Sequence, residues 1–331
     1  MSESEHIYDI TVIGGGPIGM FTAFYAGMRQ LDTLVVESLP ELGGQVSTLY
    51  PEKIIRDIAG FAEIKGAELI TALHKQMTIF PDFAPTIATN EEVTTIAKDA
   101  DIFTLTTSKG QYKTRSIVVA IGGGSFAPRK LAIDYDQALE NQRIFYFVKN
   151  VAAFAGKTVA IAGGGDSAID WALTLENVAK KVYLIHRRDQ FRGLESSVQR
   201  LQQSRIELMT PYLIDGVTDS AADLTLDLKQ VKGDQHVQLD VDALLVNYGF
   251  TADSRALRQW GLPLEHRLLK VDTNMETSIP GIYGLGDCIT YPGKVKLIAA
   301  GFGEAPTAVN AIALNLYPER RQPLHSTQLE H

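Results

Sequence analysis

Two glycine-rich stretches hold the residues best placed to do chemistry: "ITVIGGGPIGMFTA" at 10–23 and "VAIAGGGDSAIDWA" at 159–172. Each reads as an apolar strand, a tight turn and the start of a helix. In the first, Gly14-x-Gly16-x-x-Gly19 supplies one glycine for the turn, one for close approach of a pyrophosphate and one for packing helix on strand. The anion would rest on free N–H groups at the positive end of the helix dipole. Glu37 ends the next strand, "TLVVES" (33–38), where a carboxylate accepts hydrogen bonds from a ribose diol. The second loop is Gly163-x-Gly165-x-x-Ala168, with Asp166 and Ser167 opening the helix and Ala168 in the packing role. Its following strand runs into "HRRDQFR", so His186, Arg187, Arg188 and Arg192 stand where the first unit has Glu37. A carboxylate repels a 2′-phosphate, whereas guanidinium groups bind one through charge-assisted, often bidentate contacts. The first loop therefore suits a dinucleotide with free ribose hydroxyls, FAD or NAD, and the second suits NADPH. The plainer alternatives are glycines serving only a helix–strand contact and a solvated basic helix start.

One dinucleotide of each kind in a single chain points to electron transfer between two cofactors. "GIYGLGDC" (281–288) strengthens this, because a strand ending in Gly-Asp offers Asp287 as an acceptor for a polyol such as the ribityl chain of a flavin. Downstream, "GFGEAPTAVNAIALNLY" predicts a helix beginning near Pro306, a favourable first-turn residue. The N-terminus of that helix would stabilise negative charge on a flavin ring. The alternative is Asp287 as a helix cap with 306–317 as core.

The elements that must position these groups follow one programme twice. "IYDITVIG" (7–14), a helix over 17–30 and the strand 33–38 make a parallel βαβ unit. Alternating segments at 92–118 predict an antiparallel meander returning to a buried strand. The second βαβ unit spans 157–186, with a helix over roughly 166–179, and a second meander covers 223–249. "GGGSFAPRK" (122–130) is a third glycine cluster, but Pro128 follows at once, so it reads as a crossing linker. Residues 250–331 are too short for a third domain. The expected fold class is α/β, with two Rossmann-like dinucleotide-binding domains, each a parallel sheet with a small antiparallel meander. The first domain is discontinuous, 1–120 with 250–331, and 121–249 form the NADPH domain.

Composition sets the outer bounds. The chain has 331 residues, 45% hydrophobic and 21% charged, the balance of a globular protein large enough for two cores. No apolar run approaches the roughly 20 residues that span a bilayer, and "MSESEHIYD" is too acidic for a signal peptide. A cytoplasmic, non-membrane protein is the expectation. A net charge of −8 argues against nucleic acid as a partner. Cys288 is the single cysteine, which rules out an intrachain disulfide and a Cys-only metal site; no metal is expected.

In order, "GGGPIG", "GGQ" (43–45), "GGGDSA", "HRRDQFR" and "GLGD" resemble the two-dinucleotide flavoprotein reductases nearly end to end. Thioredoxin reductases of that group carry a Cys-x-x-Cys before the second glycine loop; here the region reads "RIFYFVKNVAAFAGK". The chain instead resembles the thioredoxin-reductase-like ferredoxin/flavodoxin–NADP⁺ reductases, on "ESLPELGGQVSTLYPEK" (37–53), "GGGDSAIDWAL" (163–173), "NYGF" (247–250), "GFGEAPTAVN" (301–310) and "PLHST" (323–327). The resemblance implies that Tyr50 stacks on one face of the flavin and His325, in a tail over about 318–331, covers the other. It implies FAD contacts from Glu37, Gln45, Tyr50, Val93, Phe126, Asp287 and Thr327, with Ser326 and Thr327 near the flavin N5. It further implies a homodimer and a ferredoxin or flavodoxin as electron partner.

The expected activity is hydride transfer from NADPH to FAD and release of single electrons, reversibly, in the ferredoxin–NADP⁺ reductase class. If both flavin faces are covered, domain rotation or tail movement is required, with 122–128 and 247–254 as candidate hinges. A basic rim of Lys53, Arg56, Lys294 or Lys296 would suit an acidic protein acceptor. Two other readings stay open: an NADPH-dependent flavin oxidase or quinone reductase, and a non-catalytic NADPH-binding redox sensor.

Overall fold

Ile10, Val12, Leu34, Val35 and Ile117–Val119 are all but completely buried, because their strands lie inside a parallel sheet covered on both faces. A computed structural model describes residues 6–124, 127–220, 223–251 and 254–320. The chain divides into two compact units, Met1–Ser125 with Ala252–His331, and Phe126–Thr251.

In the first unit the parallel strands Thr86–Ala88, Thr33–Val36, Ile7–Ile13 and Gln111–Val119 lie side by side in that order. Gln111–Val119 does two jobs. Its N-terminal half pairs antiparallel with Ile102–Thr107, which pairs with Val93–Asp99, and this is the meander. Its C-terminal end pairs in parallel with Ile282–Gly284, so a strand from the end of the chain completes the seven-stranded sheet. The helix Pro17–Met28 is apolar on nearly every side because it is enclosed by the sheet and by the helices Gly66–Met77 and Ile298–Leu316.

The second unit repeats the order with one difference. Ile144–Phe145, Ala243–Val246, Thr158–Ala162, Lys181–Ile185 and Glu207–Met209 form a five-stranded parallel sheet. Its meander, Tyr212–Asp219, Leu224–Gln230 and His236–Val241, is a separate three-stranded sheet with Leu224, Leu226 and Leu228 fully buried. The strand that stays continuous in the first unit breaks here at Asp242. Its carboxylate accepts the Thr158 N–H at 2.7 Å, and its own N–H donates to the Thr158 carbonyl at 2.9 Å. Ala127–Pro128 pairs antiparallel with Phe250–Thr251, so a short strand and not a helix includes Pro128 after the third glycine cluster.

Three helix boundaries differ from the sequence expectation, the first being the helix expected over 17–30, which ends at Met28. The helix expected over 166–179 is Asp166–Leu175, and the chain then tightens into turns bonded back to the Leu175 carbonyl. The helix expected to begin near Pro306 begins at Ile298 and carries Pro306 inside it. Its early turns are held by a helix–helix contact: a Cβ on Gly301 would lie 2.4 Å from Ile18 Cγ1, so only glycine allows the approach.

Candidate functional site

The first glycine loop has the three roles its spacing requires. Gly14 has φ +105°, and a Cβ there would meet the Ala120 carbonyl at 2.6 Å. Gly19 presses helix on strand so closely that a Cβ would sit 1.9 Å from the Gly14 carbonyl. Around Gly16, at the helix N-terminus, a Cβ would meet nothing within 4 Å, which leaves the open approach a phosphate needs. Glu37 is buried just after its strand; Oε2 accepts the Gly15 N–H at 2.7 Å and Oε1 the Leu39 N–H at 2.8 Å. The "GGQ" turn is tied to the same loop by a Gly43 N–H donated to the Gly15 carbonyl at 2.8 Å. Gln45 lies against the Gly122–Gly123 backbone.

Tyr50 and Asp287 come together on this unit. Tyr50 ends the short helix Gly44–Leu49 and is half-buried; burial, with the Asp287 charge adding, pushes its phenol up to about 12. Asp287 is exposed in the turn Gly286–Cys288 after the strand Ile282–Gly284. Val93 starts its strand with a buried side chain, and its carbonyl accepts the Trp260 Nε1–H at 3.1 Å. Phe126, His325, Ser326 and Thr327 lie outside the described residues.

Motif reading missed the group that holds the Asp287 turn. Glu304, buried in the helix Ile298–Leu316, accepts the Gly286 N–H at 2.8 Å on Oε2. Its Oε1 accepts from the Tyr291 hydroxyl at 2.8 Å and from Lys294 Nζ at 2.5 Å. The Lys294 side chain is only 6% exposed, so Lys294 belongs to this buried pair and not to a basic surface rim. A lone glutamate inside the apolar run "GFGEAPTAVNAIALNL" was the available signal, since a buried carboxylate requires a partner.

Next to Asp287, the Cys288 thiol donates to the Leu285 and Val119 carbonyls, and burial pushes it up to about 12. A thiol held protonated is a poor nucleophile. The folded protein is therefore expected to release no thionitrobenzoate from Ellman's reagent at mildly alkaline pH, and the unfolded chain one equivalent. Rapid reaction of the folded protein would contradict this burial.

In the second unit Gly163 makes the turn, with a Cβ there 2.6 Å from the Asn247 carbonyl, and Ala168 is fully buried beneath it. Gly165 faces open space at the N-terminus of Asp166–Leu175, and a Cβ there would find only the Arg192 carbonyl, at 3.8 Å. Arg187, Arg188 and Arg192 are exposed and form no ion pair among the described residues. His186 is placed differently from its three basic neighbours. It is buried, its ring stacks on Phe191 and presses on Gly164, and burial holds the imidazole below its usual value. The Asp166 carboxylate bonds to the Leu194 N–H, and Ser167 is exposed. Beside this loop His186 Nε2 and Asn247 Nδ2 are buried without a partner among the described residues. Open glycine cradles at two helix N-termini, one with a carboxylate and one with free guanidinium groups beyond it, fit the two expected dinucleotides.

Comparison with known proteins agrees. The family model described as "Pyridine nucleotide-disulphide oxidoreductase" matches residues 8–312. A Latilactobacillus sakei protein named "Ferredoxin--NADP reductase 2" is 57% identical over 330 residues, covering 99% of this chain and 100% of the relative. The "Ferredoxin--NADP reductase" of Lacticaseibacillus paracasei is 55% identical, covering 99% of each chain. Among solved structures, Lactococcus lactis thioredoxin reductase superposes with a TM-score of 0.80 at 25% identity, over 95% of this chain and 100% of that one.

Proposed function

We propose, from the premise that this chain belongs to the pyridine nucleotide-disulphide oxidoreductase family, that it is a ferredoxin–NADP⁺ reductase, a flavoprotein using FAD and NADPH. The observation that carries the reading is the contrast between two like-built loops, Glu37 beyond one and Arg187 and Arg188 beyond the other. When bound, the two cofactors supply hydride transfer and the division of an electron pair into single electrons. The protein supplies position and field. Gly16 and Gly165 admit pyrophosphates to helix N-termini, Glu37 accepts from a ribose, and the arginines take the 2′-phosphate. Asp287, on the turn anchored by Glu304, accepts from a polyol, and Tyr50 offers a neutral aromatic face. The lone, buried Cys288 leaves no dithiol, so electrons leave to the acceptor without disulphide exchange.

Finer parts of the reading rest on the resemblance: flavin covering by His325 with Ser326 and Thr327 near N5, flavodoxin as a second acceptor, a cytoplasmic location and a homodimer. Among the described residues no helix is long and apolar enough to cross a membrane.

The test is NADPH-driven cytochrome c reduction by the FAD-loaded protein, with and without added ferredoxin. Ferredoxin should raise the rate severalfold. A rate indifferent to ferredoxin but sustained by a quinone or by oxygen would instead mark a small-molecule reductase. Removal of residues 323–331 should speed direct reaction with oxygen; an unchanged oxidase rate would end the lid assignment.

A further inference from the structure

The three arginines of the second unit ride on one exposed segment, and ordering a loop and its long side chains on binding costs affinity. We infer that Asp166 is the positioning residue that orders this segment in advance, which rests on the reading that the second unit binds NADPH. Asp166 is the first residue of its helix, next to the glycine where a pyrophosphate is expected, and a carboxylate there opposes an anion on charge alone. Its role is set by its partner. Oδ1 accepts the N–H of Leu194, 28 residues along the chain, at 3.0 Å.

Other contacts converge on the same junction. The Arg192 N–H donates to the Gly164 carbonyl at 2.7 Å, and Gly165 and Arg192 form a parallel bridge. Gly193 crosses so closely that a Cβ would lie 2.5 Å from Ile169 Cδ1 and 3.3 Å from Asp166 Oδ1. At the other end of the segment the His186 N–H donates to the Met209 carbonyl at 3.0 Å, and its ring fills the space over Gly164. The arginines at 187, 188 and 192 thus lie between two fastened ends, and the Asp166–Leu194 bond is the only side-chain latch at the second end among the described residues. Loss of the latch should cost the ligand that needs the arginines and spare one that does not.

Calorimetric titration of the FAD-loaded protein with 2′,5′-ADP and with 5′-AMP separates the two. Asp166→Ala should cut the preference for 2′,5′-ADP over 5′-AMP about threefold to tenfold, the range of one hydrogen bond. Asp166→Asn, which keeps an acceptor oxygen at the same place and removes the same charge, should keep the wild-type preference. If the carboxylate acts only as a charge, both variants will tighten both ligands alike and leave the preference unchanged, and the latch is refuted. An Asp166→Ala protein that keeps the wild-type preference refutes it equally. If the wild type itself shows no preference for 2′,5′-ADP, or Arg187→Ala with Arg188→Ala leaves one intact, the 2′-phosphate assignment fails and takes the latch with it. A preference lost in the arginine variant but kept in Asp166→Ala removes the latch alone.

Discussion

Exchanging Arg187 and Arg188 together for alanine is expected to weaken NADPH by at least about a hundredfold while NADH changes little. Both side chains are exposed and without ion-pair partners among the described residues, so neither is committed to holding the fold. A hydrogen bond to a charged group contributes about 1.5–3 kcal/mol, which for each arginine corresponds to about tenfold to a hundredfold in affinity. Glu37, at the equivalent place in the first unit, is the internal contrast, because a carboxylate repels a 2′-phosphate. The variant should remain yellow with its full complement of FAD. Steady-state KM values for NADPH and NADH, measured side by side, check this. Equal losses for both coenzymes would place the arginines on the pyrophosphate or the fold, and a wild-type preference for NADH would overturn the site.

The second large effect is on stability. Lys294 and Glu304 are 6% and 4% exposed, and Glu304 also receives the Gly286 N–H and the Tyr291 hydroxyl. Lys294→Met leaves that carboxylate buried without its cation, a change that costs about 3–5 kcal/mol. In a protein of this size that lowers the melting temperature by about 10 °C. The Gly286–Cys288 turn carries Asp287, so FAD should dissociate more readily as well. Adding Glu304→Gln to Lys294→Met removes the unpaired charge and keeps an acceptor for Gly286, and should recover most of the loss. Thermal unfolding and the FAD fluorescence released on dilution measure the two effects. A Lys294→Met protein as stable as wild type would show that the pair carries no energy, and a double variant worse than the single would show that geometry matters more than charge.

The parts of the two sites that were legible in the residues alone are those that depend on neighbours close along the chain. Gly14, Gly16 and Gly19 are separated by two and three residues, so which must turn, stay open or pack tightly follows from the backbone. The sign of the group beyond the second strand, Glu37 or Arg187 and Arg188, is likewise local, because a βαβ unit brings that strand end beside the loop whatever surrounds it. Sidedness and burial were not legible. In "YPGKVK" Lys294 has the polar surroundings of a surface residue, and only a helix turn ten residues later turns it into the buried partner of Glu304. His186 stands in a run of basic residues, yet its ring turns inward because Gly164 leaves the space for it. Pro306 marks a helix start by local preference, but contact of Gly301 with Ile18 outweighs that preference and begins the helix at Ile298. Asp166 resembles an acid misplaced beside a phosphate until the fold brings Leu194 to it. The sequence by itself set out two like-built glycine loops with opposite charge beyond them, since that is a matter of backbone freedom and charge sign over short spans. The tertiary structure alone decided which charged groups stay exposed and which hold the loops, since burial and partners come from segments remote in the chain.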